Sequence, residues 1–164
     1  MDIRKIYEYA LQREHEGKRF FLENAERVKH AGVVGAFRHL AEEEQKHIRF
    51  IEGLLEALDE GASPGHAEIE AEASDEGFFS ARAASEMLDQ TVAESMVPDL
   101  SVLRMAYLIE RDFVEFYQAA AERAEGDARE ALEMLAGWER GHERFFKELH
   151  DTAFEEYAQM PWGG

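Results

Sequence analysis

The sequence predicts an all-α protein, a four-helix bundle of two antiparallel helical hairpins joined by a long crossover that holds a short extra helix. Three observations lead there. Apolar residues recur at three- and four-residue steps through four long stretches, the breaks inside each pair of stretches are very short, and only three prolines interrupt the chain.

The first stretch spans roughly 3–29 and the second 33–59, separated only by His30-Ala31-Gly32. A break this short forces the second helix back along the first. The third and fourth stretches, roughly 100–124 and 128–158, are separated by Glu125-Gly126 and form the second hairpin. Asp127 is placed to cap the fourth helix, with Glu130 completing a capping box.

Between the hairpins lies an acidic Gly/Pro stretch (61–75) and a short helical piece (about 76–92), after which Pro98 is expected to stop any helix before the third segment. So long a connection lets the second and third helices run parallel. Phe78, Phe79, Met87 and Leu88 are expected to strap the bundle, and His66 to be a solvated loop histidine.

The length, 164 residues, suits one domain spanning 1–164. Its formal charge of -18 opposes binding to nucleic acid or to anionic membranes. Hydrophobic residues make up 45%, so the acidity does not signal disorder. No segment has the apolar length of a signal peptide or membrane span, and a cytoplasmic location is expected. With no cysteine, thiol nucleophiles, Cys-bound zinc and iron–sulfur clusters are excluded. Chemistry is left to Glu, Asp, His, Tyr and backbone.

The second hairpin repeats the first at an offset of 95 to 96 residues. Ala10-x-x-x-Glu14 matches Ala106-x-x-x-Glu110, Ala25-Glu26-Arg27 matches Ala121-Glu122-Arg123, and Leu40-Ala41-x-x-Glu44-x-x-His47 matches Leu135-Ala136-x-x-Glu139-x-x-His142. On helices, these residues fall on the core-facing seams. The seams read Ile3, Tyr7, Ala10, Glu14, Gly17, Phe21, Asn24, Val28; then Phe37, Leu40, Glu44, His47, Ile51, Leu54, Leu58. The second pair reads Leu103, Ala106, Glu110, Phe113, Tyr117, Ala120, Ala124; then Leu132, Leu135, Glu139, His142, Phe146, Leu149, Ala153.

In so Glu-rich a chain, roughly one Glu-x-x-His match is expected by chance. Weight comes from registration: both matches lie on an apolar seam, at equivalent points of a repeat, each with a partner Glu on the other helix of its hairpin. Four carboxylates meeting in a low-dielectric core cost several kcal/mol each, or take up protons, unless cations balance them. Two divalent metal ions would. Carboxylate oxygen with imidazole suits iron or manganese, and zinc can substitute.

At these residues the chain resembles the ferritin-like di-iron carboxylate superfamily, in which a Glu and a Glu-x-x-His per hairpin is the known arrangement. Glu14-x-Glu16-Gly17-x-x-Phe20-Phe21 with Leu40-Ala41-x-x-Glu44-x-x-His47 is most similar to the rubrerythrin branch. The resemblance covers both hairpins and leaves the crossover without a motif. It implies two iron ions, with Glu14 and Glu110 as terminal ligands, Glu44 and Glu139 bridging, and His47 and His142 each completing one iron. It also implies Tyr117, two turns beyond Glu110, as a phenol hydrogen-bonded to a ligand carboxylate and a candidate catalytic residue. The plain alternative for Tyr117 is a core aromatic whose hydroxyl finds a carboxylate.

Departures are visible. There is no four-cysteine rubredoxin centre, and the extra Glu that rubrerythrins carry one turn after the third-helix ligand is replaced by Phe113. A six-ligand set of this kind is also similar to bacterioferritin, but the residue after Glu44 is Gln45 where that branch has its haem-binding Met. The resemblance implies a di-iron oxidoreductase that reduces hydrogen peroxide or oxygen with electrons from an external donor such as a rubredoxin-like protein. Ferroxidase activity with iron sequestration is the alternative, and a homodimer is the family expectation. His15, His39, Tyr7 and Tyr107 are assigned no chemistry: the histidines are expected at the surface and the tyrosines in the packing.

Overall fold

A computed structural model describes residues 2–61 and 97–159. They form four helices: α1 (Ile3–Ala25), α2 (Ala31–Glu60), α3 (Val97–Ala121) and α4 (Gly126–Gln159). No strand occurs among the described residues. α1 packs along α2, α3 along α4, and α1 also touches α3. The expected strap residues and His66 lie outside the described residues.

α1 starts where the Asp2 carboxylate accepts a hydrogen bond from the Lys5 amide, 3.4 Å away. It stops at Ala25, earlier than its apolar pattern suggests, and α2 starts at Ala31 with Gly32 inside the helix. The cause is remote in sequence. The carboxylate of Asp99, buried at the start of α3, accepts from the Lys29 amide at 3.1 and 3.2 Å and from the His30 amide at 3.0 Å. Those bonds anchor 29–30, where His30 is extended and caps α2 with its own carbonyl taking the Val34 amide.

Two further boundaries differ from expectation. α3 begins at Val97, so Pro98 lies in the first turn instead of ending a helix before it. A first-turn amide has no intrahelical partner, so proline costs nothing there. α3 ends at Ala121, and a tight turn carries the chain into α4 at Gly126, whose φ of +57° is open to glycine. Asp127 therefore sits within the first turn and not ahead of it, where its charge still suits the helix dipole.

The core is two apolar clusters with a polar layer between them. One holds Phe21, Phe37, Leu40, Leu103, Ala106 and Phe146, drawn from the end of α1, the starts of α2 and α3 and the end of α4. The rings of Phe21, Phe37 and Phe146 lie 5.4–5.7 Å apart. The other holds Tyr7, Ile51, Leu54, Phe113, Tyr117 and Leu135 from the opposite ends. Both α2 and α3 thus run from the first cluster to the second, parallel as expected. Each fully buried Leu, Ile or Phe stabilises by about 1.5–3 kcal/mol, which offsets the cost of the polar layer. Among the described residues no helix is long and apolar enough to cross a membrane.

Candidate metal centre

Each helix brings one glutamate into the polar layer: Glu14, Glu44, Glu110 and Glu139, all with side chains 0% exposed. α2 and α4 add His47 and His142 one turn later. Both histidines turn Nδ1 towards the carboxylates. His47 Nδ1 lies 2.8 Å from Glu139 Oε1 and 3.4 Å from Glu14 Oε2 and Glu44 Oε2. His142 Nδ1 lies 3.3 Å from Glu139 Oε2 and 3.5 Å from Glu44 Oε1 and Glu110 Oε2.

The internal repeat has become a pseudo-twofold. Glu44 and Glu139 each face both histidines, whereas Glu14 faces only His47 and Glu110 only His142. Glu44, His47, Glu139 and His142 each offer a ligand atom, all within 4.8 Å of one another.

Hydrogen bonding leaves this layer unsatisfied. Both oxygens of Glu44, Glu110 and Glu139, one of Glu14, and Nδ1 of each histidine are buried without a hydrogen-bond partner. Orphaned buried acceptors on this scale are costly in an apolar core and fit a cation. Left to themselves, the side chains share protons. Burial, reinforced by the Glu139 and Glu44 charges, pushes the Glu14 carboxyl well above the usual range, and Glu110 behaves alike. Burial acts in the same direction on Glu44 and Glu139, but a proton shared with Glu14, together with the two imidazoles, outweighs it at Glu44, and the imidazoles alone do so at Glu139, so both lie below the usual range. Burial would lower His47 and His142, yet the surrounding carboxylates raise both well above the ordinary imidazole value.

Aromatic residues shape the walls. The Tyr117 hydroxyl donates to Glu14 Oε1, and burial with the adjacent carboxylate charges keeps the phenol protonated. Phe113, one turn after Glu110, packs against the bare backbone of Gly17, one turn after Glu14, with the Arg13 guanidinium 5.0 Å over its ring. The indole of Trp138 stacks on His47 at 5.1 Å and 14° and meets Phe50 edge-on at 5.1 Å.

The structure brings together all six residues of the sequence-derived ligand set and Tyr117. The sequence reading did not single out Trp138, although its place directly before Glu139 and one turn before His142 on the same helix could have marked it. His15 is exposed, and Tyr7 and Tyr107 pack in the bundle as expected. His39 departs from expectation: it is half-buried, with Nε2 3.1 Å from Glu43, because α2 turns it along its own acidic face.

Fold and site together define a class: ferritin-like four-helix bundles whose core carries a carboxylate–histidine cluster suited to metal. Within it, a family model described as Rubrerythrin matches residues 5–150, and the chain belongs to the rubrerythrin family. Comparisons with curated proteins and with solved structures gave no match.

Proposed function

We propose that this chain is a di-iron oxidoreductase that reduces hydrogen peroxide, or oxygen, with electrons from an external donor. The observation that carries the reading is the pseudo-twofold set of orphaned ligand atoms. Glu44 and Glu139 would bridge two irons, Glu14 with His47 would complete one, and Glu110 with His142 the other. Manganese or zinc suits the same donors. When bound, the irons supply the two-electron redox change.

The chain's own residues supply position, dryness and charge. Four carboxylates balance two divalent ions in a layer closed by two apolar clusters. Tyr117 holds Glu14 in one orientation through its hydroxyl, and Phe113 against Gly17 keeps water from the α1–α3 side. No cysteine is present in these 164 residues to hold a second iron centre, which supports the reading that electrons reach the site from outside this domain.

Rapid mixing of protein loaded with two Fe(II) per chain tests the reading. Oxidation by hydrogen peroxide is expected to outpace oxidation by oxygen; a rate with peroxide no faster than with oxygen overturns the peroxidase preference. One observation favours a second reading, ferroxidase action with iron sequestration: the charge of -18 concentrates Fe(II) at the surface. Iron content discriminates, since storage requires well above two irons per chain.

A further inference from the structure

The two halves of the centre are alike in ligands and unlike in cover. Trp138, His47 and His142 form one column of rings: the indole stacks on His47 at 5.1 Å, His47 on His142 at 5.2 Å, each pair inclined by 14°. His47 is therefore stacked against two rings, Trp138 and His142, and Phe50 buttresses the indole from α2. His142 stands at the open end of the column. Its side chain is 14% exposed, against 4% for His47 and 0% for the four glutamates.

The repeat explains the difference. Trp138 lies four residues before His142, and the residue four before His47 is Glu43, at the same 95-residue offset that relates Glu44 to Glu139. Where one half has an indole, the other has a carboxylate. Glu43 is half-buried and accepts from Lys46 at 2.8 Å, with His39 Nε2 3.1 Å away, so it is drawn along its own helix.

We propose that the His142 half is the port through which metal ions and small polar ligands reach the centre, and that Trp138 seals the His47 half. The inference rests on the metal-centre reading above. An ion at His142 is reached past a partly exposed imidazole alone, whereas one at His47 requires the indole to leave a stack held on two sides. The two subsites should load and empty in order, His142 last in and first out.

Cobalt(II) serves as a redox-inert probe. Protein carrying two Co(II) per chain is mixed with excess EDTA, the visible absorbance followed and helicity checked by circular dichroism. Two phases of one ion each are expected, the slower by about tenfold or more. His142→Ala should abolish the fast phase and His47→Ala the slow one. Trp138→Ala should bring the slow phase up to the fast rate, and Glu43→Trp should retard the fast phase; either variant alone suffices if the other does not fold. A single phase for both ions, a slow phase that belongs to His142, or a slow phase indifferent to both variants overturns the port and seal while leaving the metal centre standing. Failure to bind Co(II) at all overturns the metal-centre reading, and this inference with it.

Discussion

The hydroxyl of Tyr117 on α3 donates a hydrogen bond to Glu14 on α1, 103 residues away, and both side chains are fully buried. The pair spans the two hairpins at the level of the centre. Tyr117→Phe keeps the ring packing and leaves one more Glu14 oxygen without a partner, a cost of about 1–3 kcal/mol. Chemical denaturation should show that loss, and a Co(II) titration should show several-fold weaker binding at the Glu14–His47 half. Unchanged binding would mean that the phenol does not position Glu14.

The bridging and terminal roles separate by stoichiometry. Glu44→Ala or Glu139→Ala should lose both metals, whereas His47→Ala should retain about one per chain, read by elemental analysis. Equal metal content in all three variants would refute the assignment. In the unaltered protein, stripping the metal should lower Tm by about 10 °C or more, because ligands that bind only the folded chain add to its stability.

Protons and metal compete for the same atoms. Burial with neighbouring carboxylates shifts Glu14 and Glu110 towards the protonated form, and the surrounding carboxylates shift His47 and His142 the same way, whereas Glu44 and Glu139 are held below the usual range. Ligation requires all six deprotonated. Binding two divalent ions near pH 7 should thus release protons, and affinity should fall as pH falls. Titration in two buffers of different ionisation enthalpy measures the count; a release near zero contradicts the protonation pattern.

Gly17 has a packing role opposite Phe113. A Cβ there would come within 3.0 Å of Phe113 Cε2 and 3.2 Å of Cζ, and the ring is buried under Arg13 with little room to yield. Gly17→Ala gains about 1 kcal/mol of helix propensity, against an overpacking cost of about 1–3 kcal/mol. A net loss of about 1 kcal/mol is expected in denaturant unfolding. Adding Phe113→Leu should reverse its sign; a stabilising single variant would show that the ring moves freely.

Much of the bundle was legible because helical periodicity is local. Of the seam residues, only Ile3, Leu58 and His142 fall short of full burial, and the six ligand positions converge as their spacing requires. The ends of helices were less legible. α1 continues its apolar pattern to Val28, yet stops at Ala25 because Asp99 claims the amides of Lys29 and His30. Nothing within α1 encodes that partner. His39 misled for a related reason: its place off the seam suggested exposure, while its neighbours Glu42 and Glu43 fold it against the helix.

By itself, the sequence determined the fold class and the Glu and Glu-x-x-His register, which follow from periodicity and spacing along single helices; the long connection let α2 and α3 run parallel, and the family was legible as a resemblance carried by those motifs. Only the tertiary structure decided how the two equivalent halves differ. Trp138 lies on α4 and covers a histidine of α2, and Asp99 on α3 ends α1. Contacts between helices depend on how the helices rotate and approach in the packed core, which no single helix's sequence contains.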